Sequence, residues 1–497
     1  MTEEKTEQSS LNENINLEKG ISSDEVDEKS ISESHKNFLL KIHGTYHLDP
    51  LPTEDPNEPL NWSKGKKRFN FFMMAFQMFV QTFMSAGLSP AYSVMAAKYG
   101  TSMTMTSYLT TAQLALLGVC PLFFTPLMEK YGRKPFFIIG SFGALVTNIA
   151  GGFCNTYGAQ MATRVLNGLC LSPISTVGPA FVAAMYFGKD RGAMNGVWSM
   201  ILIMGSPMGP FLMGFVVQHI GFKWIYWIYA VVNFIQTIGW IFTEDTLYFP
   251  GKVNHNAKGI FGKLGFCKNP EKEVSLRVFL APFTMAKYMR NVLMTFTTCI
   301  VFVYANIVFI VETPSIFQPL FHLDSQSMSL QYIPIMIGCF IGEMIAGKGS
   351  DVFMMKCQAR RGGVRVPADR FILTYLGYVC AILGVLIWGI YLKNSKEGHW
   401  TIRPLIGSGI SAAGADIVLT VTITYANDCQ PQDSVLIGLF YMFFRLIFSF
   451  ASSIYLPHMF DSINMAGSSI FMAAVMALCF VITVVLQICD WKKARKA

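Results

Sequence analysis

Apolar stretches alternate with short polar segments along most of the chain. Each stretch is roughly 20 residues long, the length of an α-helix that crosses the hydrocarbon core of a bilayer. Twelve stretches are present, and they begin near Phe69, Ser107, Pro135, Ala159, Ala193, Trp224, Asn291, Gln331, Phe371, Ile402, Ser434 and Ser468. The pattern predicts an all-α integral membrane protein with twelve transmembrane helices, called spans 1 to 12 in chain order.

The composition agrees with this prediction. Hydrophobic residues make up 52% of the 497 positions and charged residues 14%, whereas a soluble domain carries about 25% charged residues. The 11 cysteines lie mostly singly within spans or at their ends. Their spacing is not that of a disulfide framework or a metal site, so the sequence predicts neither a metal nor a cofactor.

The longest internal polar segment divides the twelve spans into six and six. Such symmetry indicates two pseudo-symmetric six-helix bundles with a substrate site between them. The predicted regions are a cytoplasmic tail (1–60), a first bundle (61–243), a cytoplasmic loop (244–290), a second bundle (291–490) and a cytoplasmic tail (491–497). The first tail is acidic and rich in Ser, shows no signal peptide, and lacks the apolar content for folding, so we predict that it is disordered.

The placement of Lys and Arg predicts the topology, because basic residues concentrate in cytoplasmic loops. Most of the 39 basic residues lie in segments that share a side with the two termini. The loops on the opposite side hold five of them, namely Lys98, Lys223, Lys393, Lys396 and Arg403. Both termini are therefore predicted to be cytoplasmic. The net charge of +8 reflects this asymmetry and not a nucleic-acid partner.

Two loops in corresponding positions of the halves carry a similar charge pattern. The sequence "TPLMEKYGRKP" follows span 2, and "GKGSDVFMMK" follows span 8. Twelve spans with this loop resemble the major facilitator superfamily, whose loop reads Gly, three residues, Asp, two residues, then Gly-Arg-Lys or Gly-Arg-Arg. Gly132, Arg133 and Lys134 match that pattern, Glu129 stands in place of the Asp, and the second copy keeps its acid as Asp351.

The resemblance implies that this loop is part of a gate. An acid at the end of a helix can bond to Arg133 and face a neighbouring helix N-terminus. Such contacts would hold one face shut in one state and release it in another. The alternative is that these are ordinary charges that set the topology.

Span 5 contains "GSPMGPFLMG", in which three glycines and two prolines interrupt an apolar run. It resembles the motif of drug:proton antiporters of the superfamily, Gly-Pro-x-x-Gly-Gly with an upstream Gly. Gly205, Gly209, Pro210 and Gly214 match it. Because Gly205 and Gly209 share one helix face, they allow a neighbouring helix to approach closely. We expect a hinge or a seal here, and simple close packing is the alternative.

Span 4 contains "RVLNG", residues 164–168. It resembles the intramembrane Arg-x-x-x-Gly element of the superfamily, in which the Arg is linked to proton transfer. A charged residue inside the bilayer is costly and marks a functional site by default. Arg164 is therefore a candidate for proton coupling.

Other segments resemble a fungal subgroup of the superfamily. "LPTEDPNEPLNW" precedes span 1, "EDTLY" follows span 6, "RRGGVRVPADRF" follows span 8, and "TYANDCQP" lies between spans 10 and 11. These resemble the signatures of twelve-span fungal drug:proton antiporters, including the yeast permeases for histidinol, polyamines and organic cations.

Few carboxyl groups lie within the spans. Glu343 in span 8 and Asp416 in span 10 are candidates for binding a proton or a cation, because a buried carboxyl group can bind and release a proton. A structural ion pair with Arg445 of span 11 is the alternative. Glu312, at the outer end of span 7, and Asp428, at the turn before span 11, are the next candidates.

Amides and other polar residues of spans 1, 2 and 7 are candidates for lining a substrate cavity, with plain helix packing as the alternative. They are Gln77, Gln81, Gln113, Tyr304 and Asn306. The first six spans offer no buried carboxyl group, which weakens the case for a polyamine substrate and leaves a monovalent or neutral organic solute.

The sequence thus predicts a proton-coupled transporter of a small organic solute, such as a drug, organic cation or amine, that works by alternating access. It predicts no enzymatic activity, no nucleic-acid partner and a monomer in the bilayer of the plasma membrane or the vacuole. The alternatives are an uptake permease of the same fold for a nutrient, polyamine or iron chelate, and a nutrient receptor that transports nothing.

Overall fold

The computed structural model describes residues 32–45, 48–175, 177–248, 265, 269, 274–360 and 366–494. Within these ranges it leaves out the side chains of Lys189, Lys348, Asp351, Pro431, Lys493 and Ala494. The chain divides into two compact units, of which the first ends at Trp62 and the second begins at Ser63.

The first unit contains a helix where the sequence predicted a disordered tail. The helix spans Glu33–His43. Ser32 caps its N-terminus, because its Oγ accepts a hydrogen bond from the backbone of His35, and Gly44, with φ 74°, caps its C-terminus. These are favourable start and stop residues, and they explain why this part of the tail is ordered. Residues 1–31 lie outside the described residues.

The second unit is a set of long helices. Their bounds are Lys64–Ala86 and Tyr92–Tyr99 (span 1), Met103–Val119 and Pro121–Tyr131 (span 2), Lys134–Phe153 (span 3), Tyr157–Leu171 and Gly178–Met185 (span 4), Gly188–Ile220 (span 5), Lys223–Phe242 (span 6), Met289–Phe302, Val303–Glu312 and Thr313–Phe321 (span 7), Ser325–Leu330, Ile333–Met344, Ile345–Gly349 and Ser350–Arg360 (span 8), Phe371–Lys393 (span 9), Arg403–Cys429 (span 10) and Ser434–Ala494 (spans 11 and 12). Val303–Glu312 and Ile345–Gly349 are π-helical.

Twelve spans follow from these bounds. Ten helices of the described residues are long and apolar enough to cross a membrane, and the pair in span 2, bent by 45°, makes an eleventh. The last of them covers 59 residues, about 90 Å at 1.5 Å per residue, which is far longer than a bilayer is thick. Its backbone is not helical at Asn464 (φ 61°, ψ 169°), so it counts as two spans. The predicted fold class is confirmed.

Within each half, short connections make successive spans antiparallel, which gives the second unit two faces. We call the face that holds the start of span 1 and the end of span 12 the termini face. The far face is the other one, and it holds the end of span 1 and the start of span 12. On the termini face an ion pair joins Lys66 at the start of span 1 to Glu244 after span 6. The equivalent pair of the second half joins Arg290 at the start of span 7 to Asp490 at the end of span 12, at 2.6 Å.

Small residues let neighbouring spans approach closely. Spans 9 and 10 meet through four glycines, at which an added Cβ would lie 2.4–2.9 Å from the nearest atom of the opposite helix; they are Gly377, Gly384, Gly407 and Gly414. Contact at this distance brings many backbone atoms together, which is how helices associate in a bilayer. Asp416 lies on span 10, two residues after Gly414.

Candidate functional site

The loop after span 2 is bonded to the segment that follows span 6. The carboxylate of Asp245 accepts hydrogen bonds from the backbone N–H groups of Arg133, at 2.7 Å, and Lys134, at 3.1 Å. Span 3 begins at Lys134, so Asp245 caps the N-terminus of that helix, where a negative charge is stabilised. The side chain of Arg133 also donates to the hydroxyl of Thr246 at 3.3 Å.

The charges of this contact are withdrawn from water. Burial raises the pKa of Asp245, although its hydrogen bonds and the charge of Arg133 oppose the rise. Burial also lowers the pKa of Arg133, against the charges of Asp245 and Glu129. The sequence pointed to Glu129 as the acid of this loop, whereas the acid that bonds to the loop backbone is Asp245. Glu129 contributes through its charge.

In the second half, different residues bond to the corresponding loop, which lies between spans 8 and 9. The side chain of Asp351 lies outside the described part of the structure. Immediately before span 9, Arg370 donates to Asp428 at 2.7 Å and to Ser350 at 2.8 Å, and Trp491 of span 12 donates to Asp369 at 2.9 Å. In both halves, therefore, the last span or the segment after it holds the start of the third span on the termini face.

The glycines of span 5 pack against two different helices. A Cβ at Gly205 or Gly209 would lie 2.6 or 2.3 Å from a carbonyl oxygen of span 1, at Phe79 and Phe83 respectively. A Cβ at Gly214 would lie 2.3 Å from the side chain of Ser329, in span 8. The predicted shared face of Gly205 and Gly209 is present, and the helix continues through Pro207 and Pro210. Of these three glycines, Gly214 is the one that contacts the second half.

Further contacts close the far face between the halves. The hydroxyl groups of Ser89 and Tyr332 lie 2.9 Å apart, and Gln318 donates to the carbonyl oxygen of Pro90 at 3.3 Å. Ser89 and Pro90 lie between the two helices of span 1, while Gln318 and Tyr332 belong to spans 7 and 8. Together with Gly214 and Ser329 these residues form a seal, which we call the far-face seal.

Arg164 is almost fully buried, with 1% of its surface exposed. It donates to the carbonyl oxygens of Met84 at 2.9 Å and Ser85 at 3.3 Å, both in span 1. Its Nη1 atom has no hydrogen-bond partner within the described ranges. The phenol groups of Tyr226, Tyr229 and Tyr92 lie within electrostatic range of the guanidinium group. Arg164 thus holds span 4 against span 1, and its role in proton transfer stays a prediction.

Asp416 and Glu343 lie together in the interior of the second half. Glu343 accepts a hydrogen bond from Thr420 at 2.9 Å and faces Ser199 of span 5 in the other half. Asp416 contacts the thiol of Cys339, which in turn contacts Asn306. The side chains of Asp416 and Glu343 are 1% and 4% exposed, and the Oδ2 atom of Asp416 has no partner among the residues described.

Arg445 contacts aromatic rings and also acts electrostatically on Asp416. Its guanidinium group lies over the rings of Phe302, at 4.8 Å from the centroid, and Tyr441, at 5.5 Å. Over the described ranges, no salt bridge joins Arg445 to an acid. Arg445 nevertheless lies within electrostatic range of Asp416, so the alternative of a structural ion pair stays open.

The predicted cavity residues divide into two sets. Gln77 accepts a hydrogen bond from Trp240, Gln81 donates to Ser175, and Gln113 donates to Asn167 at 3.0 Å. These amides join helices of the first half, so helix packing, the alternative, accounts for them. Their periodicity could not show which neighbour they face.

The two residues of span 7 have different surroundings. Asn306 contacts Cys339 in the carboxyl cluster, and the phenol of Tyr304 contacts that of Tyr455. Both are nearly buried, at 5% and 8% exposed. Asn306 is thus the predicted cavity residue that the structure brings to the carboxyl groups.

Comparison with known proteins decides the family. The profile of the Major Facilitator Superfamily matches residues 74–451. The chain belongs to the major facilitator superfamily. It is accordingly a membrane transporter and not an enzyme, as the sequence predicted.

Fungal transporters of the major facilitator superfamily are among the similar proteins. The chain is 28% identical over 384 residues to the MFS transporter cpaT of Aspergillus oryzae, which covers 75% of this chain and 77% of the relative. It is 26% identical over 425 residues to the efflux pump vrtL of Penicillium aethiopicum, covering 83% and 82%. A solved structure, the xylose transporter XylE from E. coli in a partially occluded inward-open conformation, matches with a TM-score of 0.60 and 9% identity over 84% of this chain and 97% of that one. This last similarity supports the fold alone.

Sequence reasoning missed several residues of the site. Asp245 lies within the quoted "EDTLY" segment, and its acidity was the available signal. Ser199, Cys339 and Thr420 surround the carboxyl groups, but each belongs to a different span. Nothing in the spacing of one sequence brings such distant positions together.

Proposed function

We propose that the chain is a proton-coupled exporter of a small organic solute, with a fungal plasma membrane as its site and both termini in the cytoplasm. The vacuolar membrane is the second candidate. Residues 61–243 and 291–490 act as the two bundles of an alternating-access cycle, in one monomer. The termini face is then cytoplasmic and the far face is external.

The observation that carries the proposal is the cluster of Asp416 and Glu343. Two carboxyl groups lie buried in the second half, and no Lys, Arg or His lies within 4 Å of either among the described residues. Such groups are costly inside a bilayer and mark proton or ion paths. Glu343 also faces Ser199 of the first half, so a change in its proton occupancy acts directly on the contact between the halves.

Export is favoured over uptake by two observations. The efflux pump vrtL is similar to this chain over 83% of its length, and span 5 carries the glycines of the antiporter motif. One observation favours an uptake permease, namely the resemblance of the segment before span 1 to yeast permeases. The substrate class proposed is a monovalent or neutral organic solute, because Glu129 and Asp190 are the two acids between residues 64 and 243, and both lie near helix ends.

Efflux from cells tests the proposal. A growth screen on toxic cations, amines, azoles and iron chelates, with deletion and overexpression strains, supplies the solute. Cells loaded with that labelled solute should lose it faster when the chain is overexpressed, and a protonophore should remove the difference. Faster loss that persists with the protonophore would contradict proton coupling, and faster accumulation would favour the uptake permease.

The orientation has its own test. An acceptor site for N-glycosylation inserted next to Asp324, between spans 7 and 8, should be modified. The same site inserted at residue 275, between spans 6 and 7, should not. The reverse pattern would show that the termini are external.

A further inference from the structure

Glu312 is a third buried carboxyl group, and it lies apart from the cluster of Asp416 and Glu343. It ends the π-helical stretch of span 7 and is 2% exposed. Its Oε1 atom has no hydrogen-bond partner, and no Lys, Arg or His lies within 4 Å, in the part of the chain that the structure describes. The proposed function, which relies on the cluster of Asp416 and Glu343, gives Glu312 no role.

The surroundings of Glu312 place it next to the far-face seal. Tyr332 donates to the carbonyl oxygen of Ile310, two residues before Glu312, at 3.1 Å and also contacts Ser89. Gln318, six residues after Glu312, makes the bond to Pro90. The same stretch of span 7 therefore carries both Glu312 and the contacts that close the seal.

The first half presents a phenol to Glu312 rather than a cation. Tyr92 lies within electrostatic range of both Glu312 and Arg164, and its hydroxyl donates to Thr110 at 2.8 Å. Ile310 and Val311 pack against Ala86 of span 1 and Leu114 of span 2. Among the described residues, Tyr92 thus acts electrostatically on both Glu312 and Arg164, and Tyr332 of span 8 contacts the nearby backbone at Ile310.

We infer that Glu312 is a second proton-binding site, which must hold a proton for the far face to stay sealed. A carboxylate without a cation is unfavourable in this closed interface. When the seal opens, water reaches the carboxyl group and the proton can leave to the far side. Proton release and opening then favour each other, as any two linked equilibria do.

This inference rests on the alternating access of the proposed function but not on the roles of Asp416 and Glu343. It requires that the closed state bind one more proton than the open state. The ratio of open to closed molecules should then rise with pH, by up to about tenfold per pH unit while Glu312 ionises.

The test is the reactivity of a cysteine placed beside the far-face seal. Ser325 is 5% exposed, and its carbonyl oxygen would lie 2.5 Å from a Cβ on Gly214. Ser325→Cys should react with a membrane-impermeant maleimide from the far side only when the seal opens. The protein without this substitution gives the background of the native cysteines.

The decisive comparison is between Ser325→Cys alone and Ser325→Cys with Glu312→Gln. The ratio of the first labelling rate to the second cancels the pH dependence of the reagent. That ratio should rise with pH, because the amide introduced by Glu312→Gln stays neutral and so leaves the seal closed at every pH. A ratio that stays flat between pH 5 and 9 would overturn the inference.

Three further variants separate the possible failures. Glu312→Asp keeps a titratable group and should keep the rise even if Glu312→Gln is poorly produced. Gln318→Ala loses one bond of the seal and should raise labelling at every pH with the same slope; loss of the slope would overturn the assignment to Glu312. Asp416→Asn should keep the slope, so the inference can hold even if that residue proves irrelevant to transport.

Discussion

The first six spans bury one charged side chain, Arg164, and the last six bury three carboxyl groups, Glu312, Glu343 and Asp416, over the residues described. Arg164 is held mainly by backbone carbonyl groups of span 1, and the amides of spans 1 and 2 bond to other helices of the first half. The carboxyl groups have few partners. The comparison indicates that the first half is a fixed support and that the second half carries the groups that change charge.

Span 5 contacts both halves, and a substitution in this span is expected to have the largest effect on transport. Gly214→Leu should abolish transport, because the added side chain meets Ser329 of the second half and prevents the far-face seal from forming. Solute efflux and surface abundance are the measurements. Gly196→Leu, on the same helix with nothing within 4 Å of an added Cβ, is the matched control and should transport normally.

Gly209 sharpens the same comparison. It meets span 1 within the first half, so Gly209→Leu should lower the abundance of the protein together with its transport. If Gly209→Leu is abundant and inactive while Gly214→Leu transports normally, the moving contact lies within the first half, and the comparison fails.

A substitution of Asp245 tests whether the stability of the first half depends on pH. Burial raises its pKa, so the folded protein binds this proton more tightly than the unfolded chain does. The resulting stability is complete below the ordinary aspartate pKa of about 4 and is lost as pH rises through the raised pKa, by about 1.4 kcal/mol per unit of pKa shift. Asp245→Asn lacks this dependence.

Thermal denaturation in detergent, from pH 4 to 8, measures this effect. The wild type should lose stability relative to Asp245→Asn as pH rises. A constant difference between the two proteins would mean that the capping carboxylate does not change its charge on unfolding.

The fold was predictable because span length, loop charge and the glycine face of span 5 are local signals. The predicted starts of spans 1 to 11 lie within six residues of the observed helix starts. The partners of individual side chains were not predictable. Gln77 meets Trp240 and Arg133 meets Asp245 across more than 100 residues, and a helix surrounded by others gives no sign of which neighbour a polar residue faces.

The ion pairs of the termini face give the smallest expected effects. Glu244 is 56% exposed in its pair with Lys66, whereas Asp490 is 10% exposed in its pair with Arg290. Lys66→Ala should therefore cost less than about 1 kcal/mol, and Arg290→Ala about 1–3 kcal/mol, because it removes a hydrogen bond to a charged group. Denaturation midpoints in detergent should show this order, and the reverse order would contradict the assigned difference in burial.

Asp416→Asn in reconstituted vesicles tests the central claim, that the second half carries the transported proton. The asparagine side chain is neutral and of similar size. Movement of the screened solute driven by a pH gradient should be lost, while exchange of labelled for unlabelled solute, which needs no net proton movement, should continue at normal protein abundance. Gradient-driven movement at the wild-type rate, in both Asp416→Asn and Glu343→Gln, would contradict the account.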